Sequence, residues 1–229
     1  MIAPSEPTAS PFSAAPVELV IFDCDGVLVD TERIAARVQV TLGARFGWPL
    51  TEAEVISLFL GLSDASVREQ VAARLGDAVA LEWEESFRRL HAEAVDVGLS
   101  PVEGLPEALA RITLPTCVAS SGSHEKMRHT LGRTGLYEHF AGRIHSASEV
   151  PRGKPAPDLF LYAAARMGVD PAACVVVEDS PPGVEAARAA GMRSLGYAGG
   201  LTPAPALAGP GTTVFTDMRD LPALLGLAP

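Results

Sequence analysis

From Ser100 onward the chain alternates short apolar runs with stretches of helical periodicity, and this alternation restricts the fold more than any other feature. The runs lie at residues 114–119, 142–145, 173–177, 193–197 and 212–215, and helical patterns fill the intervals at 106–112, 124–133, 157–167, 182–190 and 218–225. Apolar runs this short, without polar alternation, suit strands covered on both faces, and strands joined through helices pair in parallel. A sixth run, residues 17–22, stands far upstream. Between it and the others, residues 31–98 are helical in pattern, with segments at 31–46, 51–60, 63–75 and 79–97 and stop signals at Gly47, Pro49, Gly61 and Gly76. The expected fold class is therefore α/β, a doubly wound parallel sheet built from residues 17–30 and 99–229 and interrupted by a helical insertion at 31–98. Residues 1–16, rich in Pro, Ala and Ser, are expected to be a disordered tail. Residues 199–211 are expected to be a surface loop with a short turn of helix.

A chain of 229 residues, 48% of them hydrophobic, can bury a full core. The formal net charge of -10 argues against nucleic acid as a partner, because affinity for a phosphate backbone rests on clustered Lys and Arg. No apolar stretch approaches the roughly 20 residues of a membrane-spanning helix. The three cysteines, Cys24, Cys117 and Cys174, are odd in number and embedded in apolar runs, so they are expected to be reduced and the protein cytoplasmic. A monomer or weak homodimer is expected.

The first apolar run ends in Asp23-Cys-Asp25-Gly26. Residues i and i+2 of a strand project to one side, so Asp23 and Asp25 start out facing together. Their repulsion calls for a divalent cation, a proton held on one carboxyl, or both. Alone, Asp-x-Asp-Gly is as readily a turn, since Asp and Gly are common turn residues.

Three further segments shift the balance. In Thr116-Cys-Val-Ala-Ser120-Ser121-Gly122-Ser-His124 a strand runs through hydroxyls and glycine into a helix, whose N-terminus is a ready anion site, although an ordinary capped loop reads the same way. In Gly153-Lys154-Pro-Ala-Pro157 two prolines stiffen the loop around one lysine, a placed cation or a surface lysine in a turn. Cys174-Val-Val-Val-Glu178-Asp179-Ser180 ends a buried strand in adjacent acids; Ser180 serves as an N-cap, and Glu178 is left without a local role.

Together, Asp23-x-Asp25-Gly-Val-Leu-x-Asp30-Thr-Glu32, Ser120, Lys154-Pro and Glu178-Asp179 resemble the motifs of the haloacid dehalogenase-like superfamily, in the branch with a helical cap inserted after the first strand, which includes β-phosphoglucomutase and sugar-phosphate phosphatases. The resemblance spans nearly all of the chain after the tail. It implies a Rossmann-type core with strand order 5-4-1-2-3, a cap domain at 31–98, Mg2+ as cofactor and a small phosphorylated metabolite as substrate. It further implies that Asp23 attacks phosphorus to form an aspartyl-phosphate and that Asp25 acts as general acid and then base. Mg2+ is assigned to the Asp23 carboxylate, the Asp25 backbone carbonyl and Asp179, with Glu178 direct or through water. Ser120, the backbone N–H groups of Ser121 and Gly122, and Lys154 are assigned to the phosphoryl oxygens.

Cap specificity is expected at Gly61, Leu62, Ser63 and Asp64, where related mutases carry an arginine for a second phosphate. Asp64 in that place favours a phosphatase over a mutase, with Arg68 or Arg33 as possible substitutes. The stretch His124-Glu-Lys-Met-Arg-His-Thr130 also resembles sugar-phosphate phosphatases. Asp25 counts against dehalogenation, which has no leaving group needing a proton. A phospho-accepting binding module would use similar residues, but without the helical insertion. Trp48, Trp83 and Phe87 are expected as cap core, Glu82, Glu84, Glu85, Arg88 and Arg89 as a solvated helix face, and His145 as structural.

Overall fold

The computed structural model describes residues 16–60, 62 and 64–227, with Asp64 described by its backbone alone, so the expected tail falls outside the described residues except for Pro16. Six strands, β1 (Leu19–Phe22), β2 (Thr116–Ser120), β3 (Ile144–Ser146), β4 (Cys174–Glu178), β5 (Arg193–Tyr197) and β6 (Thr212–Phe215), form one sheet in the order β3-β2-β1-β4-β5-β6. Every pairing is parallel. Phe22 lies opposite Val118 on one side and Val177 on the other, so β1, β2 and β4 end at the same level.

Period-two alternation distributes these buried runs between two layers. Val20, Phe22, Val118, Val175 and Val177 face one hydrophobic cluster with Leu131 and Phe140, while Leu19, Ile21, Cys117, Ala119 and Val176 face another with Leu159, Phe160 and Ala187. The covering helices follow in chain order. Helices α1 (Thr31–Arg45), α2 (Glu52–Phe59), α3 (Asp64–Leu75) and α4 (Asp77–Gly98) lie between β1 and β2, followed by α5 (Leu105–Arg111). Next come α6 (His124–Arg133), α7 (Tyr137–Phe140), α8 (Asp158–Met167), α9 (Pro181–Ala189), α10 (Ala204–Leu207) and α11 (Leu221–Leu224). All three cysteines are buried and free. No described helix is long and apolar enough to cross a membrane.

Helices α1 to α4 enclose a third cluster around Trp83, which is buried with Phe59, Leu42 and Val71; Trp48 and Phe87 pack on it partly buried. The Trp83 indole N–H donates to Gln39 Oε1 at 2.7 Å, which satisfies two polar groups inside this core. Helix α2 opens with a capping box between Thr51 and Glu54. Sequence and structure differ at residues 218–225, where a 3-10 turn at Met218–Asp220 precedes a separate short α11 that carries proline in its first turn. Helix α7 has only four residues, too few to show a period.

Candidate active site

The carboxyl ends of β1, β2 and β4 meet at one crevice, and most of the sequence-predicted residues converge there. Asp23 follows β1 directly and donates its backbone N–H to the Val177 carbonyl at 3.0 Å, which ties it to β4. Gly26 turns the chain away with φ +73°, and a Cβ at this position would sit 2.0 Å from Asp179 Oδ2. Glycine is thus required twice, for the left-handed backbone and for the carboxylate pressed against it.

Lys154, on the loop between β3 and α8, donates from Nζ to Asp23 Oδ1 at 2.7 Å and to Glu178 Oε1 at 2.6 Å. The side chains of Lys154, Asp23 and Glu178 are 5%, 11% and 0% exposed. Glu178 Oε2 accepts from the Ser180 N–H and hydroxyl at 2.9 and 2.8 Å, so both of its oxygens are engaged. Burial depresses the Lys154 ammonium, but Asp23 and Glu178 outweigh it and hold the pKa above the usual lysine value. Burial pushes Asp23 up to about 6; Lys154 opposes the rise, and the Glu178 and Asp25 charges add to it.

Asp179 is poorly compensated. Its Oδ2 is buried without a hydrogen-bond partner, as is Oε2 of Glu32. Burial raises Asp179 well above the ordinary range, reinforced by Glu32, Glu178 and Asp23. Glu32 rises to about 7, chiefly through burial, with its hydrogen bond to Asp179 opposing. Oxygens of Asp23, Glu178 and Asp179 lie within 4.8 Å of one another. Buried carboxylates crowded against one lysine, with an unpartnered oxygen among them, fit a hard divalent cation that takes oxygen ligands.

Asp25 is held separately. Thr31 Oγ1 donates to its Oδ1 at 2.7 Å, and Lys126 Nζ donates to its Oδ2 at 2.6 Å. On β2, the buried Ser120 accepts at Oγ from the Gly122 N–H at 3.2 Å, and Ser123 caps α6 by accepting from the Lys126 N–H. Lys126 and Thr31 were not singled out from the sequence as site residues. For Lys126 the available signal was its place in the first turn of a helix that follows the serine-rich loop.

A cavity of about 440 Å³ opens above these groups, lined by Asp23, Asp25, Ser120, Ser121, Lys126 and Asp179 on the sheet side. From α1 to α4 it is lined by Gln39, Phe59, Arg68, Trp83, Glu84, Phe87 and Arg88. Glu84 and Arg88, expected on a solvated helix face, also line this cavity, with Arg88 66% exposed and Glu84 21%. The i,i+4 pairing expected of that face is present at Arg88–Glu84 and Arg89–Glu93. Of the expected specificity turn, Leu62 lines the cavity at 41% exposure, while Gly61, Ser63 and the Asp64 side chain lie outside the described residues. Arg33 pairs with Asp30 and donates to the Gly199 carbonyl, lining a different cavity. His145 is buried, with its ring edge-on to Tyr162.

A family model described as haloacid dehalogenase-like hydrolase matches residues 17–191. The chain is 34% identical over 209 residues to the 6-phosphogluconate phosphatase of Escherichia coli (strain K12), covering 91% of this chain and 94% of that protein. It resembles the crystal structure of a haloacid dehalogenase-like protein of unknown function from Agrobacterium tumefaciens, with TM-score 0.84, 37% identity and coverage of 92% of this chain and 98% of that one. A hydrolase of the same family from Deinococcus radiodurans, solved with bound phosphate and sodium, matches with TM-score 0.83 and 32% identity over 94% of this chain and 99% of that one.

Proposed function

The chain belongs to the haloacid dehalogenase-like hydrolases, and from that premise we propose that it is a Mg2+-dependent phosphatase that hydrolyses a small sugar phosphate through an aspartyl-phosphate on Asp23. The observation that carries this reading is the Asp23–Lys154–Glu178 bridge beside the unpartnered Asp179 oxygen, which holds the Asp23 carboxylate at the end of β1 among buried charges. The relative named for 6-phosphogluconate supports a sugar phosphate as the substrate class.

Asp23 supplies the attacking oxygen. Lys154, locked by Glu178, sits where it offsets repulsion between that carboxylate and an incoming phosphoryl group. The Ser120 hydroxyl and the backbone N–H groups of Ser121 and Gly122 hold phosphoryl oxygens at the N-terminal approach to α6. Asp25 gives a proton to the departing ester oxygen and then takes one from the water that attacks the aspartyl-phosphate. Thr31 and Lys126, one on each of its oxygens, fix its direction.

Mg2+ would be held by the Asp23 carboxylate, the Asp25 carbonyl and Asp179, with Glu178 direct or through water; when bound, it takes up the negative charge that otherwise keeps carboxylate and phosphate apart. Residues 31–98 act as a cap that encloses the substrate and excludes water during transfer.

The test is phosphate release from a panel of sugar phosphates, with Mg2+ or with EDTA. Release that requires Mg2+ and vanishes in Asp23→Asn supports the reading. Release insensitive to Asp23→Asn, or isomerisation of a hexose 1-phosphate faster than its hydrolysis, contradicts it.

A further inference from the structure

The cap side of the cavity holds a charge cluster that neither nucleophile nor metal site accounts for. Arg68 on α3 donates from Nη1 to Glu84 Oε2 at 3.3 Å, and Arg88, one turn along α4 from Glu84, donates from Nη2 to Glu84 Oε1 at 3.1 Å. Glu84 is 21% exposed between two arginines that are 46% and 66% exposed. All three line the same cavity as Asp23 and Asp25. Among the described side chains of this cluster, two guanidinium charges face one carboxylate, in a chain whose net charge is -10.

A solvated helix face gains little from such an arrangement, since exposed pairs contribute about 0–1 kcal/mol. Inside a binding cavity it does something specific. Glu84 orients both planar forks, and each guanidinium carries five N–H donors, more than the nitrogen it gives Glu84. One excess positive charge complements a single negative one. Phe59, Trp83 and Phe87 line the same cavity and offer apolar surface for the ligand's uncharged part.

We propose that Arg68, Glu84 and Arg88 form a second anion subsite that selects sugar phosphates bearing one carboxylate remote from the phosphoester. The proposal rests on the phosphatase reading above and adds the chemistry of the substrate's other end.

The test compares kcat/KM for gluconate 6-phosphate and glucitol 6-phosphate, which differ only in a terminal carboxylate against a hydroxymethyl group, with fructose 1,6-bisphosphate as a third substrate. The wild-type enzyme prefers the gluconate ester by at least about tenfold, the value of one charge-assisted hydrogen bond. Arg88→Met cuts that preference several-fold, Arg88→Lys retains part of it, and Arg68→Met/Arg88→Met brings the ratio to about one. Should the double variant fail to fold, Arg88→Met alone decides. Equal rates for the two esters in the wild type, a preference that survives Arg88→Met, or a stronger preference for the bisphosphate would overturn the subsite and leave the phosphatase standing. Failure to release phosphate from any ester, p-nitrophenyl phosphate included, would instead remove the phosphatase reading and this proposal with it.

Discussion

Among the described residues Lys154 is the one cation paired with the buried carboxylates of Asp23 and Glu178, and replacing it tests the electrostatics of the site without reference to turnover. Its Nζ lies 2.7 Å from Asp23 Oδ1 and 2.6 Å from Glu178 Oε1, and Glu178 has no exposed side-chain surface. Lys154→Met keeps most of the apolar stem and strands both acids. Breaking a buried pair from one side costs about 3–5 kcal/mol, because the desolvated charge left behind has nothing to offset it. For a chain of this size each kcal/mol shifts the midpoint by about 2–4 °C, so the metal-free melting temperature should fall by roughly 6–20 °C.

The sign with pH follows from the same groups. A stranded carboxylate has a folded pKa above its unfolded value, so the damage is small at low pH, where it is protonated, and grows as pH rises. Adding Glu178→Gln removes one stranded charge, and Lys154→Met/Glu178→Gln should be more stable than Lys154→Met alone. Thermal and urea unfolding of the four proteins in EDTA, analysed as a double-mutant cycle, measures this. A loss below about 1 kcal/mol for Lys154→Met would refute the reasoning, as would strictly additive effects.

Gly26→Ala should destabilise by about 1–2 kcal/mol through its left-handed backbone alone. Because the added Cβ would lie 2.0 Å from Asp179 Oδ2, it should also weaken Mg2+ binding by at least about tenfold, readable by calorimetry. Lys126→Met should lower turnover by freeing one oxygen of Asp25; the Lys126 side chain is 44% exposed, so stability should fall by less than about 1 kcal/mol, and unchanged kcat would contradict its positioning role. In EDTA, Asp23 at about 6 and Glu32 at about 7 bind a proton more tightly folded than unfolded. The stability they contribute is present below the ordinary carboxylate range and is lost as pH rises through those values. Calorimetry of the metal-free protein should therefore show a falling midpoint over that window, and a rising one would count against the crowded-acid description.

The sheet was legible because parallel strands covered on both faces leave continuous apolar runs, and the runs at 193–197 and 212–215 coincide with β5 and β6. Asp23, Ser120, Lys154 and Glu178 were legible for a related reason: each stands where a buried strand or a stiffened loop breaks into polar residues. Pairings across the fold were not. Lys126 meets Asp25 over a sequence separation of 101, and nothing in a helix's first turn says which strand end it will face. Glu32 reads as the acidic first turn of α1, yet its Oε2 is buried and unpartnered beside Asp179. That Glu84 and Arg88 also line the cavity was not legible, because a helix face toward a cavity carries the same polar pattern as one toward bulk water. Only the placement of α3 and α4 across from the aspartate pair separates the two cases.

In the proposed reaction phosphorus becomes bonded to the carboxylate at the end of β1. Asp25→Asn, which can neither protonate the leaving group well nor activate water, should slow breakdown of that bond. Acid-quenched protein incubated with a reactive phosphate ester and Mg2+ can be digested and weighed by mass spectrometry. The expected result is the added mass of one phosphoryl group on Asp23, removable by hydroxylamine. Steady phosphate release with that peptide unmodified throughout, or the label on any other side chain, would contradict it.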